Sequence, residues 1–167
     1  MDSIVDEKAL SFAVELAIKR HEEELKRTEN LNNRANSLIG YAATLGALFF
    51  GIILPKLSNN AFLFGITFFV FFFEFFVIIL CLVAGNALLV KWFITGPGGR
   101  ILSVFGKTLS ETEIKERLLE SYVKAYDNNY QRNIKSANLI SWASILFSIG
   151  FILGLIGFFA QFIISSK

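Results

Sequence analysis

The chain is poor in the residues that build metal, redox and catalytic sites. Its 167 residues include one cysteine and one histidine. Cys81 has no second cysteine with which to form an intrachain disulfide. His21 precedes Glu22 and Glu23, but adjacent residues on a helix do not face each other, and one histidine with a single carboxylate at i+3 is a poor ligand set. We therefore expect no metal and no cofactor, and interpret His21 as a helix-interface residue.

Sequence signatures of enzymes are also missing. The chain has no HExxH, CxxC or GxSxG pattern and no pair of carboxylates beside a histidine. The segment TGPGGR, residues 95–100, lacks the GxxxxGK[ST] spacing and follows no strand, so it is not a phosphate-binding loop. A net charge of +2 is too small to indicate direct nucleic-acid binding. We therefore predict that the protein is not an enzyme.

Charged residues are almost absent from one long stretch. Between Ala61 and Val90, Glu74 is the only acidic or basic residue, and nine of the fifteen residues from Phe62 to Phe76 are phenylalanine. Such a block is too apolar for a soluble surface and too long for a buried strand, so we assign it to lipid. With 54% hydrophobic residues and a mean hydropathy of +0.55, the whole chain is more apolar than a soluble domain.

Three stretches are long enough to cross a bilayer, which takes about 20 apolar residues. They run over residues 35–54, 61–93 and 137–164. We expect an all-α integral membrane protein with three transmembrane helices and two cytoplasmic helical extensions. The predicted organisation is a cytoplasmic amphipathic helix (1–34), a transmembrane hairpin (35–93), a cytoplasmic hinge and amphipathic helix (94–136), and a third transmembrane span (137–167).

The distribution of lysine and arginine predicts the orientation. Fourteen of the sixteen basic residues lie in segments 1–34 and 91–135, and the other two are Lys56 and Lys167. The positive-inside rule therefore puts the N-terminus in the cytoplasm and the C-terminus on the other side of the membrane. No basic segment followed by an apolar stretch opens the chain, so we expect the first span to direct insertion without a signal peptide.

The two cytoplasmic segments read as helices. Residues 4–33 carry apolar residues at three- and four-residue steps, and Ser110 with Glu113 fits a capping box that begins a second helix. We expect these helices to form an antiparallel pair. A glycine-rich segment ahead of the second helix is the predicted hinge, and its residues are Gly96, Pro97, Gly98 and Gly99.

Small residues mark two predicted helix-packing faces. On the first span Ala43, Ala47 and Gly51 recur every four residues, and on the third span Gly150 and Gly154 form a GxxxG pair. Small side chains allow helix backbones to approach closely in lipid. Both faces predict tight packing, within one chain or between copies in a homo-oligomer.

Glu74 is the leading candidate functional residue, because an ionisable group in the bilayer is costly, by about 2.5–3.5 kcal/mol on insertion scales. One interpretation is a neutral acid hydrogen-bonded to Thr44 or Ser148, which should lie at a similar depth. The other is a ring of Glu74 carboxylates that lines or gates a water-filled path in an oligomer, with Thr44 and Ser148 beside it.

Other residues are candidates for contact with a ligand or a partner. The second cytoplasmic helix has an aromatic stripe of Tyr122, Tyr126 and Tyr130. At helical spacing this stripe is more often core between two helices than a surface on which a nucleobase stacks. Arg100 and Lys107 could meet an anionic headgroup or ligand.

The stretch RTENLNNRANSLIGYAATLGALFFGI, residues 27–52, resembles a broad family of small helical membrane effectors from prokaryotic anti-phage systems. That family includes the Pycsar transmembrane effectors and SLATT-type domains. An acidic or Asp-Thr-Lys-Ala-like motif precedes the first span there, and Asn33, Arg34 and Ala35 stand at that place here. The resemblance implies a chain that oligomerises in the inner membrane and impairs it when a nucleotide or a partner protein triggers it.

Two functions from different classes follow from these features. The first is a homo-oligomeric membrane pore or membrane-disrupting effector, gated by a cytoplasmic signal, that acts in prokaryotic antiviral defence. The second is a non-conducting membrane scaffold or accessory subunit that docks a soluble partner through its cytoplasmic helices. A role for Glu74 in a conducting path distinguishes the first from the second.

Overall fold

The computed structural model describes residues 7–52, 61–88 and 109–165. Within these ranges it has three α-helices and no strand, which confirms the all-α prediction. The helices are α1 (Glu7–Ile52), α2 (Ala61–Leu88) and α3 (Glu111–Ser165). Outside the described residues lie the predicted hinge and two predicted contact residues, namely Gly96, Pro97, Gly98, Gly99, Arg100 and Lys107.

The start of α3 confirms the predicted capping box. The Glu113 carboxylate accepts hydrogen bonds from the Ser110 backbone N–H and from the Ser110 hydroxyl, both at 2.8 Å. The Glu113 N–H approaches the Ser110 Oγ at 3.3 Å, and the first backbone bond of the helix runs from the Ile114 N–H to the Ser110 carbonyl. These bonds satisfy donors that the first turn of a helix otherwise leaves free.

Two of the described helices are long and apolar enough to cross a membrane, α2 over Ala61–Gly85 and α3 within Glu111–Ile163. Only 28% and 22% of their most apolar segments are buried, whereas the core helix of a soluble protein would be mostly buried. Length, composition and exposed apolar surface therefore indicate membrane association. α1 does not meet the same requirement over its described residues. Its predicted span, 35–54, extends past the described part of the helix, and Asn36 and Ser37 dilute its apolar content.

The chain divides into two compact units. Unit 1 comprises Met1–Asn30 and Leu88–Ile134, and unit 2 comprises Leu31–Ala87 and Lys135–Lys167. In the described part of unit 1, the first half of α1 packs against the first half of α3. Leu10, Ala17 and Ala125 are among the apolar residues buried between them.

The two helices of unit 1 run parallel, so the predicted antiparallel pairing is wrong. Lys115 near the start of α3 donates to Glu7 near the start of α1, and Asn133 further along α3 bonds Glu24 further along α1. The reason is topological. The chain reverses direction once before α2 and once after it, and two reversals return α3 to the direction of α1.

Unit 2 is a three-helix bundle in which α2 is antiparallel to the other two helices. Phe71 of α2 contacts Phe50 of α1 edge-on, with 5.2 Å between the ring centroids. The Ser136 hydroxyl of α3 donates to the Ala84 carbonyl near the end of α2, at 3.3 Å. Toward the other end of the bundle, an apolar cluster forms around Phe49, Leu63 and Val70.

The buried residues of α2 recur with alternating four- and three-residue steps. This spacing averages 3.5 residues and is typical of left-handed helix bundles, in which one seam of each helix stays turned to its neighbours. The seam consists of Leu63, Thr67, Val70, Glu74, Val77, Cys81 and Ala84.

No phenylalanine belongs to the buried seam of α2. Among the phenylalanines of α2, Phe68, Phe72 and Phe75 have 48–61% of their surface exposed. Because the rings point outward and the smaller residues point inward, the helices approach closely while the aromatic surface faces the surroundings of the bundle.

Candidate functional site

Glu74 occupies a core position in the seam of α2, between Val70 and Val77, which are both fully buried. The Glu74 side chain is 3% exposed. Neither of its carboxylate oxygens has a hydrogen-bond partner among the described residues. A buried polar group without a partner is uncommon in folded proteins and calls for a reason.

Gly150 of α3 provides the space that the carboxyl group occupies. A Cβ atom built on Gly150 would lie 2.6 Å from Oε1 of Glu74, 3.5 Å from its Cδ and 3.4 Å from Cβ of Phe73. Any larger residue at position 150 would therefore overlap with the carboxyl group. The acid on one helix and the glycine on the other form a matched pair.

Thr44 and Ser148 do not bond the carboxyl group. The Thr44 hydroxyl donates to the Gly40 carbonyl at 2.8 Å, and the Ser148 hydroxyl donates to the Ser144 carbonyl at 2.9 Å. Both residues are exposed on the outside of unit 2. The predicted partners of a neutral Glu74 are thus engaged with their own helices, because a threonine or serine in a helix readily bonds the carbonyl four residues earlier.

The two predicted packing faces have different locations. Gly150 and Gly154 are buried inside unit 2, where Gly154 faces the Phe49 ring so closely that a Cβ would lie 2.5 Å from Cζ. Ala43, Ala47 and Gly51 are exposed on α1, and a Cβ on Gly51 would meet no atom of the described part of the chain within 4 Å. The glycines of α3 therefore serve packing within the chain, whereas the α1 face is open.

The surroundings of Glu74 decide what its carboxyl group can do. An ionised carboxylate at this place would have neither a hydrogen-bond donor nor a counter-charge among the described residues, which is strongly unfavourable. The neutral acid avoids that cost but leaves its O–H and C=O unbonded. Either form gains hydrogen bonds if the helices separate enough to admit water.

A second buried polar cluster lies in unit 1 and was not predicted. The Asn133 side-chain amide donates to the Glu24 carboxylate at 2.7 Å and to the Glu24 carbonyl at 3.1 Å. The Thr28 hydroxyl lies 3.0 Å from the Asn133 Oδ1 and 2.9 Å from the Glu24 carbonyl. Arg27 contacts the Glu24 carboxylate at 3.5 Å. A polar residue in a helix seam fixes the register of the pair, and the spacing of Glu24, Thr28 and Leu31 was the available signal.

His21 is buried at the same interface, 3% exposed, and its ring meets the Tyr122 ring edge-on at 5.6 Å. Neither ring nitrogen has a partner among the described residues. Burial lowers the pKa of His21 from its usual value of 6.5, and the carboxylate of Glu22 partly opposes that shift. In the described part of the chain no three His, Cys, Asp or Glu residues lie close enough to hold a metal ion.

The tyrosine stripe lies at the margin of unit 1. Tyr126 and Tyr130 stack on each other at 5.8 Å, and the Arg27 guanidinium lies 5.8 Å from the centre of the Tyr130 ring. Tyr130 is 37% exposed, so the stripe leads from the helix interface to the surface. Its role in contact with a ligand or partner stays a prediction.

Comparison with known proteins yields no relative. No family model matches the sequence, no curated protein shows significant similarity to it, and no solved structure resembles its fold closely enough to count as a match. The function must therefore be argued from the site.

Proposed function

We propose that the protein is a homo-oligomeric membrane pore or membrane-disrupting effector, gated by a cytoplasmic signal. The resemblance of residues 27–52 to anti-phage effectors supports a role in prokaryotic antiviral defence, with a nucleotide or a protein partner as the trigger. The proposed topology has three spans, with the N-terminus in the cytoplasm and the C-terminus outside the inner membrane. The uneven distribution of lysine and arginine supports this orientation.

The observation that carries the proposal is Glu74 in the core of unit 2, buried and without a partner among the described residues. A bundle selected only for stability would place an aliphatic residue there, as it does at Val70 and Val77. The acid costs stability in the closed bundle and gains hydration when the bundle opens. In the proposed mechanism the Glu74 carboxyl group packs against Gly150 in the closed bundle. When the bundle opens, Glu74 lines the conducting path.

The open face of α1 supports assembly of several copies. Gly40, Ala43, Ala47 and Gly51 are exposed along this helix, and none of the described residues lies within 4 Å of a Cβ built on either glycine. Small residues on an exposed helix face favour close contact with a second helix in lipid. A three-span chain is small for a transporter, so several copies are better suited to enclose a path.

A liposome experiment tests the role of Glu74. Purified full-length protein is reconstituted, and leakage and ion selectivity are compared for the wild type and for Glu74→Gln, which keeps the size of the side chain but cannot ionise. Glu23→Gln, an exposed glutamate of unit 1, is the matched control. We expect Glu74→Gln to change conductance or selectivity while the control does not. Unchanged conductance and unchanged selectivity would remove Glu74 from the mechanism.

One observation favours the scaffold as a second candidate. Glu74 lies inside a single chain, packed against its own α3, and not on a surface that copies would share. In a scaffold the acid needs no water and unit 1 serves only to dock a soluble partner. A purified oligomer that never leaks, together with a partner that is lost when residues 1–34 or 94–136 are deleted, would favour this alternative.

A further inference from the structure

An acidic groove runs along the outer side of α3 in unit 1. It has a volume of about 470 Å³, an apolar floor of Leu119 and Val123, and an acidic margin of Glu116, Glu120 and Asp127. Lys124 also lines it, and Val123 is 46% exposed. Glu120 and Asp127 are separated by seven residues, which places them on one line along the helix.

A complementary stripe lies on α1 of the same unit. Phe12, Lys19 and Lys26 are spaced by seven residues and are all exposed, with 67% of Phe12 open to the surroundings. Phe12 and Lys19 together match a groove with an apolar floor and an acidic margin. No ion pair joins Lys19 or Asp127 to another of the described residues.

The heights of the two surfaces also match. The hydrogen bonds between α1 and α3 in unit 1 join residues that are 105 to 109 positions apart. With these offsets Phe12 lies level with residues 117–121, which include Leu119, and Lys19 lies level with residues 124–128, which include Asp127. Lys26 lies level with residues 131–135, beyond the acidic margin.

We propose that the occupant of this groove is a second copy of the chain, with Phe12 of one copy on Leu119 and Val123 of the next and Lys19 beside Asp127. The inference rests on the proposed function, in which several copies insert into the membrane in one orientation. The helices of all copies are then parallel, and equivalent residues lie at equal height. The two surfaces lie on different helices, so the contact is head-to-tail, and it repeats around a ring when the rotation between neighbouring copies closes. Unit 1 thus adds a contact between copies to the one proposed for the open face of α1 in unit 2.

Charge reversal tests the contact on the full-length protein. Oligomer mass and its concentration dependence are measured in detergent by light scattering for the wild type, Lys19→Glu, Asp127→Lys and the double variant. We expect each single variant to weaken association by about three- to tenfold at low salt, as for an exposed ion pair that becomes a repulsion. The double variant should recover the wild-type mass because it restores opposite charges.

Controls separate the possible outcomes. Lys26→Glu makes the same charge change beyond the height of the acidic margin and should leave the oligomer mass unchanged. Circular dichroism checks that each variant keeps its helix content. Single variants without effect, a double variant without recovery or an equal effect of Lys26→Glu would overturn the contact. Leakage is measured in parallel. Recovery of the mass in the double variant without any leakage would support the contact and contradict the pore. Leakage that is the same in all four variants would support the pore and contradict a role of the contact in it.

Discussion

Replacement of Gly150 by alanine is the most direct probe of the matched pair in unit 2. The new Cβ would lie 2.6 Å from Oε1 of Glu74, whereas ordinary non-bonded contacts begin near 3.5 Å. The carboxyl oxygen must therefore move by about 0.9 Å. It is the end of a flexible side chain, but Val70 and Val77 close the seam on both sides, so the group is pushed toward the bundle surface.

The expected free-energy change is the difference of two effects. Extra volume in a packed core costs about 1–3 kcal/mol. Alanine in place of glycine in a helix regains about 0.5–1 kcal/mol. Gly150→Ala should therefore lower the free energy of unfolding by about 0–2.5 kcal/mol, and the displaced carboxyl group should make the bundle easier to hydrate.

A double-mutant cycle with Glu74→Ala isolates the contact between the two residues. Removal of the carboxyl group removes the overlap, so Gly150→Ala should cost less in the Glu74→Ala background, with a coupling energy of about 0.5–2 kcal/mol. Unfolding is followed in detergent, and dye leakage from liposomes is measured on the same proteins. Gly65→Ala is the matched control, since a Cβ on Gly65 would have no neighbour within 4 Å in residues 7–52, 61–88 and 109–165. Equal effects of Gly150→Ala in both backgrounds would refute the reasoning.

Two further predictions concern unit 1. Because burial lowers the pKa of His21, the unfolded chain binds a proton more readily than the folded one. The stabilisation from the neutral ring is full above pH 6.5 and is lost as the pH falls through 6.5 toward the lower folded value, so His21→Gln should flatten the pH dependence of the unfolding temperature in this window. Asn133→Ala leaves the Glu24 carboxylate without its 2.7 Å donor and should lower the free energy of unfolding by about 1–3 kcal/mol, measured by thermal or denaturant unfolding.

Each of these two predictions has its own check. An unfolding temperature that falls equally in His21→Gln and in the wild type below pH 6.5 would show that other groups control the acid side. Gln131→Ala, an exposed change on the same helix, is the control for Asn133→Ala. If the two substitutions cost the same, the hydrogen bond to Glu24 does not stabilise unit 1.

Local sequence signals were sufficient where neighbouring residues decide the structure. The capping box at Ser110 and Glu113 predicted the start of α3, because its hydrogen bonds join residues three apart. The prediction of helices throughout rested on apolar periodicity and length. Helix direction was wrong in unit 1, although counting the two chain reversals would have predicted a parallel pair.

Hydropathy did not reveal which residues of α2 form its buried seam. In a helix where nearly every residue is apolar, hydropathy does not distinguish the inner face from the outer one. The available signal was the side chains that interrupt the large apolar residues, since Thr67, Glu74 and Cys81 recur every seven residues, which is one four-residue and one three-residue step. In lipid the smaller residues turn inward, which is the reverse of what a soluble core leads one to expect.

The sequence by itself determined that the chain is helical, that it is apolar enough for a membrane, and that a single acid stands among apolar residues. It could do so because composition and periodicity along one helix need no knowledge of any other helix. Only the tertiary structure decided what that acid meets. Contacts between Glu74 and Gly150, or between Glu24 and Asn133, join residues far apart in the chain, and their existence depends on the rotation and register with which whole helices pack.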